Sequence, residues 1–204
     1  MRSGVLAAAL LLSPLGAAGA APLRFFVDPL QVGVERLDAA YVALGVDTRT
    51  AVRIGAGAGL DWRGRAQLAL GASTSAGDTD FGLLVSPGVH LERRDVSCEV
   101  RFRAPWTWRG FAVQGAAGLG RLALAYHPDA LVVDAGGAPE TVALDAVHAW
   151  TRVLAAEVLH SIGRCDVVLR GSSRSYALEL GTPEGPARRD VRDLQAGLWI
   201  RVAR

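Results

Sequence analysis

Between Val52 and Phe102 apolar and polar residues alternate almost without a slip, in four segments joined by very short turns. Val52, Ile54, Ala56, Ala58, Leu60 and Trp62 share one face, against Arg53, Gly55, Gly57, Gly59 and Asp61. Ala66, Leu68, Leu70 and Ala72 follow, against Arg65, Gln67, Ser73 and Ser75. The third segment sets Phe81, Leu83, Val85, Val89 and Leu91 against Asp80, Ser86, His90 and Glu92. The fourth sets Val96, Cys98, Val100 and Phe102 against Asp95, Ser97, Glu99, Arg101 and Arg103. Period-two alternation predicts β-strands, because successive side chains of a strand point to opposite faces. Most of these segments exceed the usual length of about five or six residues in soluble strands. They match the reach of a tilted strand across a bilayer.

The pattern continues in both directions. Arg24 to Glu35 predicts a first strand, irregular near Pro29, which cannot donate to a ladder. Ala40, Val42, Leu44 and Val46 predict a second, closed by a turn at Asp47-Thr48-Arg49. Downstream, Phe111, Val113, Ala117 and Leu119 share a face, after which Leu122, Leu124 and Tyr126 carry the apolar positions in the opposite phase. One inserted residue near Gly120, a β-bulge, accounts for that change. Residues 127–141 read as a loop, and Thr141 to Ser161 as a long mixed-phase segment whose middle, Trp150 to Leu159, fits a helix on pattern alone. A tight turn at Ile162-Gly163-Arg164 leads into a strand from Cys165 to about Leu180. A loop over 181–189 precedes the last strand, in which Leu194, Ala196, Leu198, Ile200 and Val202 oppose Gln195, Gly197, Trp199 and Arg201.

This gives about ten strands, or eight if the first two are irregular. In the ten-strand count the long loops 127–141 and 181–189 fall on one side, and short turns at 47–49, 77–79, 107–109 and 162–163 on the other, with both chain ends. That asymmetry is the arrangement of an all-β, antiparallel up-and-down transmembrane β-barrel with longer outer loops. Trp62, Trp106, Trp108, Phe111, Tyr126 and Trp150 fall near strand ends, where an interface girdle would stand.

Residues 1–21 have the layout of a secretory signal peptide: Met1-Arg2-Ser3, an apolar run from Val5 to Leu12, and small residues ending Ala18-Gly19-Ala20-Ala21. The barrel domain then occupies 22–204. No segment has eighteen uninterrupted apolar residues, which rules out a membrane helix. A net charge of +2 gives no footprint for nucleic acid, and the absence of Lys and Asn fits a GC-rich genome. Cys98 and Cys165 fall near opposite ends of the sheet, so two free thiols are expected rather than a disulfide.

The last strand, Gln195-Ala196-Gly197-Leu198-Trp199-Ile200-Arg201-Val202, resembles the β-signal that bacterial outer-membrane proteins present to their insertion machinery. Gln195, Gly197, Ile200 and Val202 occupy its polar, glycine and two hydrophobic positions. It departs from the pattern in its aliphatic hydrophobic positions and in ending Ala203-Arg204 rather than on an aromatic residue. The resemblance is to outer-membrane β-barrels of Gram-negative bacteria as a class. It implies outer-membrane lipid and the barrel-insertion machinery as partners.

In such a barrel the polar face lines the interior. The pattern assigns there Arg53, Asp61, Arg65, Gln67, Asp80, His90, Glu92, Asp95, Glu99, Arg101, Arg103, Asp166, Arg170 and Arg174. Charges of both signs in a narrow lumen pair with one another, because isolated ions out of water are costly. The expectation is a crowded interior and a non-enzymatic structural or surface-exposed barrel, with a narrow passive channel as a variant. Two alternatives stand beside it. The first is a lipid A-modifying enzyme using His90 and Glu92, which share a face two residues apart; His160-Ser161 beside Glu157 lies toward the other end. The second is a soluble periplasmic lipocalin-like barrel with its apolar face turned inward. No cofactor is expected, and no His or Cys pair has metal-ligand spacing. An extracellular ligand is not specified by any motif.

Overall fold

A computed structural model describes residues 23–44, 50–78, 90–134, 139–182 and 185–203. The expected signal peptide and the turn at 47–49 lie outside the described residues, as does the third apolar segment up to Val89. Eight antiparallel strands close a barrel: β1 (Leu23–Arg36), β2 (Thr50–Trp62), β3 (Ala66–Asp78), β4 (His90–Trp108), β5 (Phe111–His127), β8 (Val147–Ile162), β9 (Cys165–Thr182) and β10 (Gly185–Ala203). β10 pairs back onto β1 from Arg36↔Leu194 to Phe26↔Ala203. Between β5 and β8 a separate hairpin, β6 (Ala130–Asp134) and β7 (Pro139–Ala143), projects from one rim. Closure leaves no unpaired edge around the lower wall, which open sheets must protect by other means.

Three tight turns among the described residues lie at one end. Arg109-Gly110 joins β4 to β5 with φ of 49° and 81°, and Arg63-Gly64 turns β2 into β3 with φ of 59° and 66°. Both steps need the left-handed backbone that two-residue hairpin turns require. Gly163, with φ of 63°, makes the third turn. β1 begins and β10 ends at this end, and the longer connections lie at the other.

Eight is the lower of the two expected counts, reached because two expected elements differ. Ala39–Leu44 forms a 3-10 helix instead of a strand, with Tyr41 fully buried and Leu37 nearly so. The break expected between Leu91 and Asp95 does not exist, and β4 runs through it in unbroken register with β3. The turn expected at 77–79 is likewise strand as far as Asp78. Trp150 to Leu159 is strand, paired along its length to β5, so the helical alternative fails. The loop expected over 181–189 is mostly strand, since β9 and β10 pair out to Thr182↔Gly185. Removing two strands leaves the parity unchanged, which is why 127–141 and 181–189 still share a side. Pro29 sits at a register shift within β1 and does not end it.

The bulge expected near Gly120 is absent: β5 pairs with β8 without a shift and with β4 continuously from His90↔His127 to Arg103↔Gln114. Polarity changes and the phase does not. Below this level Leu119 faces out, 60% exposed, and Gln114 and Ala116 face in; above it Leu122, Leu124 and Tyr126 face in and Arg121 faces out. β4 does the same, with Val96, Cys98, Val100 and Phe102 outward while Leu91 points inward. His90 and Glu92 therefore lie on the outer surface, contrary to their expected interior position. Tyr126 leaves the expected girdle for the interior. Trp62, Trp106, Trp108 and Phe111 remain outward near the short-turn end. Arg65 occupies the β2–β3 turn, its N–H donating to the Trp62 carbonyl at 3.1 Å. Cys98 on β4 and Cys165 on β9 are free thiols on strands that are not neighbours.

Candidate functional site

The lumen is packed in layers, because strand alternation sends every second residue inward and a barrel of eight strands is just wide enough for side chains to fill. Toward the short-turn end, Asp28, Glu99 and Glu157 meet Arg101, Arg170 and Arg201, all buried. Arg201 donates to Asp28 at 2.8 Å, Arg101 to the same carboxylate at 3.1 Å, and Arg170 to Glu99 and Glu157 at 2.7 Å each. The guanidiniums also stack on aromatic faces: Arg201 lies 5.0 Å from the Phe26 ring centre and Arg170 4.5 Å from that of Trp199. Three acids facing three arginines make this layer neutral, as burial in a low-dielectric interior demands.

A second layer lies above it. Arg93 bridges Glu35 and Asp193, the latter at 2.6 Å, while Arg53 and Arg174 share Asp95 at 3.1 and 2.9 Å. It too sets three acids against three arginines. Between the layers remains a polar cavity of about 40 Å³ lined by Gln31, Ser73, Ser97, Ser172 and Gln195, among others. Above the second layer the lumen turns apolar: Leu37, Tyr41, Leu91, Leu122, Leu124, Tyr176, Leu178 and Val191 form one buried cluster. The first long connection is folded into this mouth. The Asp38 N–H donates to Asp193 at 3.0 Å, and the Tyr41 and Tyr176 hydroxyls are hydrogen-bonded to each other. Burial pushes the Tyr41 hydroxyl well above the ordinary tyrosine range, which keeps it protonated.

Of the interior residues assigned from the pattern, Arg53, Gln67, Asp95, Glu99, Arg101, Arg170 and Arg174 are found there, with Asp61, Arg103 and Asp166 half-buried toward the short-turn rim; Asp80 lies outside the described residues. The pattern alone did not single out Asp28, Glu35, Arg93, Asp193 and Arg201 as partners. Asp28, Arg93 and Asp193 lie where the apolar repeat is interrupted, at Pro29 and at the polarity change, whereas Glu35 and Arg201 stand on the polar face of alternating segments but meet their partners only when the barrel closes.

His90 and Glu92 are brought beside His127 on the outer face near the long-connection end, above the apolar band. The rings of His90 and His127 are 5.9 Å apart, and His127 Nε2 is 2.9 Å from Glu92. Arg94 holds Glu92 with two hydrogen bonds of 2.8 and 2.9 Å, and these lower its carboxyl to about 2. At ordinary pH Glu92 is thus an ion-paired carboxylate, poorly suited to act as a general acid. No serine, cysteine or threonine hydrogen-bonds either histidine among the described residues, although Thr74 Oγ1 donates to Glu92 at 3.3 Å. The second grouping separates: Glu157 points inward, whereas His160 stacks on Phe111 with ring centres 4.5 Å apart, and Ser161 donates to Asp166 at 2.5 Å. Gln195, Gly197 and Ile200 lie on β10 in register with β1, Gln195 opposite Glu35 and Ile200 opposite Leu30, so the β-signal-like stretch forms the closing seam of the barrel.

Comparison with solved structures gives the architecture its class. Neisserial surface protein A superposes with a TM-score of 0.58 at 10% identity, over 87% of this chain and 96% of that one. The fold is that of the bacterial outer-membrane β-barrels. The attachment invasion locus protein of Yersinia pestis matches at a TM-score of 0.43 and 11% identity, over 88% and 97% of the two chains. The outer-membrane protease OmpT of Escherichia coli matches at 0.40 and 6%, over 92% and 100%. No family model and no curated protein sequence matches the chain.

Proposed function

We propose that this chain is a small, non-enzymatic barrel of the bacterial outer membrane that presents its long connections at the cell surface. The observation that carries the reading is the polarity change along unbroken strands. Below it, Leu68, Leu70, Val96, Val100, Leu119, Leu154 and Leu198 face outward, each more than 40% exposed, a belt far larger than a soluble surface tolerates. Above it, the apolar residues face inward and Arg94, Arg121, Arg152 and Arg192 face outward, as in a barrel surrounded by water. The belt on β2, from Val52 to Trp62, covers about 25 Å at the usual strand tilt, the height of the apolar band in such barrels.

A soluble carrier would need the opposite orientation throughout. A passive channel would need a continuous lumen, and two charge-paired layers and an apolar plug occupy it. A role in surface contact uses what remains: the β6–β7 hairpin and the β9–β10 arm, loops on a rigid scaffold. The test is labelling of intact cells with a membrane-impermeant maleimide, in a variant with both native cysteines replaced by alanine and Asp129→Cys introduced. Labelling of the introduced thiol together with a heat-modifiable band in the outer-membrane fraction is expected. A fully soluble periplasmic product would refute the proposal.

A further inference from the structure

On one side of the outer surface, at the level of the polarity change, three arginines face out without an acidic partner. Arg121 on β5, Arg152 on β8 and Arg192 on β10 take part in no ion pair among the described residues, whereas Arg94 nearby is paired with Glu92. Arg152 and Arg192 flank Ser175 in one ladder row, about 10 Å apart by strand spacing. Arg121 is opposite Trp150 and one step diagonal from Arg152, and its guanidinium lies 5.8 Å from the Trp150 ring centre. Trp150 is 72% exposed, the most exposed large apolar residue described. Directly below the three cations stand Leu119, Leu154 and Leu194, all outward and more than half exposed.

The wall opens at the same place. β8 pairs with β9 only as far as Thr151↔Tyr176; beyond it β8 continues on β5 to Val147, and β9 continues on β10 to Thr182. The divergence leaves a cleft of about 1010 Å³ whose lining includes Leu119, Trp150, Thr151, Arg152, Tyr176 and Val191. The Thr151 hydroxyl, fully buried there, has no hydrogen-bond partner. Of the nearby acids, Glu179 and Asp190 are farther up the arm, where Glu179 is opposite Arg188, and Asp38 accepts the Arg192 backbone N–H at 3.1 Å while the Arg192 guanidinium donates to Ser173 at 2.9 Å.

We infer that Arg121, Arg152 and Arg192, around the β8–β9 cleft, form a binding site for the net-anionic, phosphate-bearing headgroup of a membrane lipid. Unpaired cations at the upper edge of an apolar band complement phosphate held at the same depth, and an exposed tryptophan suits the wet–dry boundary. Acyl chains then follow Leu119, Leu154 and Leu194 downward. The inference rests on the membrane reading above, with this end toward the outer leaflet.

The test uses the full barrel refolded into phosphatidylcholine vesicles doped with diphosphorylated lipid A, with its dephosphorylated counterpart, or with neither. Lipid retained after detergent extraction is counted by native mass spectrometry. The wild type is expected to retain the phosphorylated lipid selectively. The triple variant Arg121→Gln, Arg152→Gln, Arg192→Gln is expected to lose about a hundredfold in retention at low salt, the combined effect of three surface cations. These side chains are exposed, and a heat-modifiability gel reports whether each variant is folded. A control triple at the other end, Arg63→Gln, Arg109→Gln, Arg164→Gln, is expected to retain the lipid as the wild type does. Equal retention of phosphorylated and dephosphorylated lipid, or no loss in the first triple, would overturn the site. Displacement of the retained lipid by inorganic phosphate at a concentration equal to that of the lipid would make free phosphate, and not a lipid, the ligand. Because the assay needs no cell, its failure and a failure of surface labelling are separate results.

Discussion

The neutral layer around Glu157 gives the sharpest test of how the barrel holds its interior. Glu157 is fully buried, accepts from Arg170 at 2.7 Å, and lies 3.5 Å from Arg201 and 3.7 Å from Arg101. Glu157→Gln keeps the shape and removes the charge, leaving three guanidiniums facing two carboxylates. Breaking a buried pair from one side costs about 3–5 kcal/mol, because the surviving charge is left uncompensated. Against a total stability of about 5–15 kcal/mol, that is a large fraction. The double variant Glu157→Gln, Arg101→Gln is expected to recover much of the loss. It leaves two complete pairs, Arg201 with Asp28 and Arg170 with Glu99. The measurement is equilibrium urea unfolding in lipid vesicles, followed by tryptophan fluorescence and by the heat-modifiable band, for both single variants and the double. A positive coupling of about 2 kcal/mol or more is expected for contacting charges in one network. If Glu157→Gln costs under about 1 kcal/mol, or the double loses the sum of the singles, the charge-balance reasoning fails.

Leu70, 59% exposed at the middle of the outward belt on β3, separates lipid from water: Leu70→Arg is expected to cost about 2–4 kcal/mol in vesicles, whereas a water-facing site would change by about 0.5 kcal/mol or less. Leu122→Ala, in the apolar plug with 1% exposure, is expected to cost about 2–5 kcal/mol in the same urea series, where an outward Leu122 would cost far less. His90→Ala and Glu92→Gln are expected to leave the lipid A profile unchanged by mass spectrometry; an altered profile in either variant would reopen the enzymatic alternative.

Much of the wall was legible because a strand's side-chain period is two and a bilayer fixes which face is apolar. Val52 to Trp62 and Ala66 to Ala72 fall where their alternation puts them, and Gln195 to Val202 forms the closing seam. What was not legible has a common cause. Ala40, Val42 and Leu44 alternate like a strand, yet this segment coils into the barrel mouth, where Tyr41 finds Tyr176; that contact spans 135 residues and has no local signature. Asp28 and Arg201, one pair of the lower layer, are 173 residues apart and meet only when the barrel closes. His90 and Glu92 were assigned inward from their polarity, with a break expected before Asp95; the phase of Val96 and Cys98 in fact runs unbroken through them and puts both outward, and only the polarity of each face changes. The lone cations Arg121, Arg152 and Arg192 gave no sequence signal, because their grouping depends on register across four strands.

The change near Gly120 shows how one sequence fact can carry two structural meanings. A bulge would have kept the apolar face outward along all of β5 and sacrificed part of the ladder to do so. An unbroken ladder instead keeps every hydrogen bond and lets the surroundings change. β5 alone cannot distinguish these, but its neighbours can. On β4 the inward positions pass from Arg93 to Leu91, and on β10 from Asp193 to Val191, without a shift against their partners. Coincident bulges would be needed on each strand to restore an outward apolar face, whereas a single boundary between two solvents explains all of them. That boundary is also where Arg121, Arg152 and Arg192 stand outside and where the charged lumen gives way to the apolar plug inside. On the membrane placement proposed above, one physical transition, from hydrocarbon to water around the barrel, sets the interior packing and the chemistry of the outer rim together.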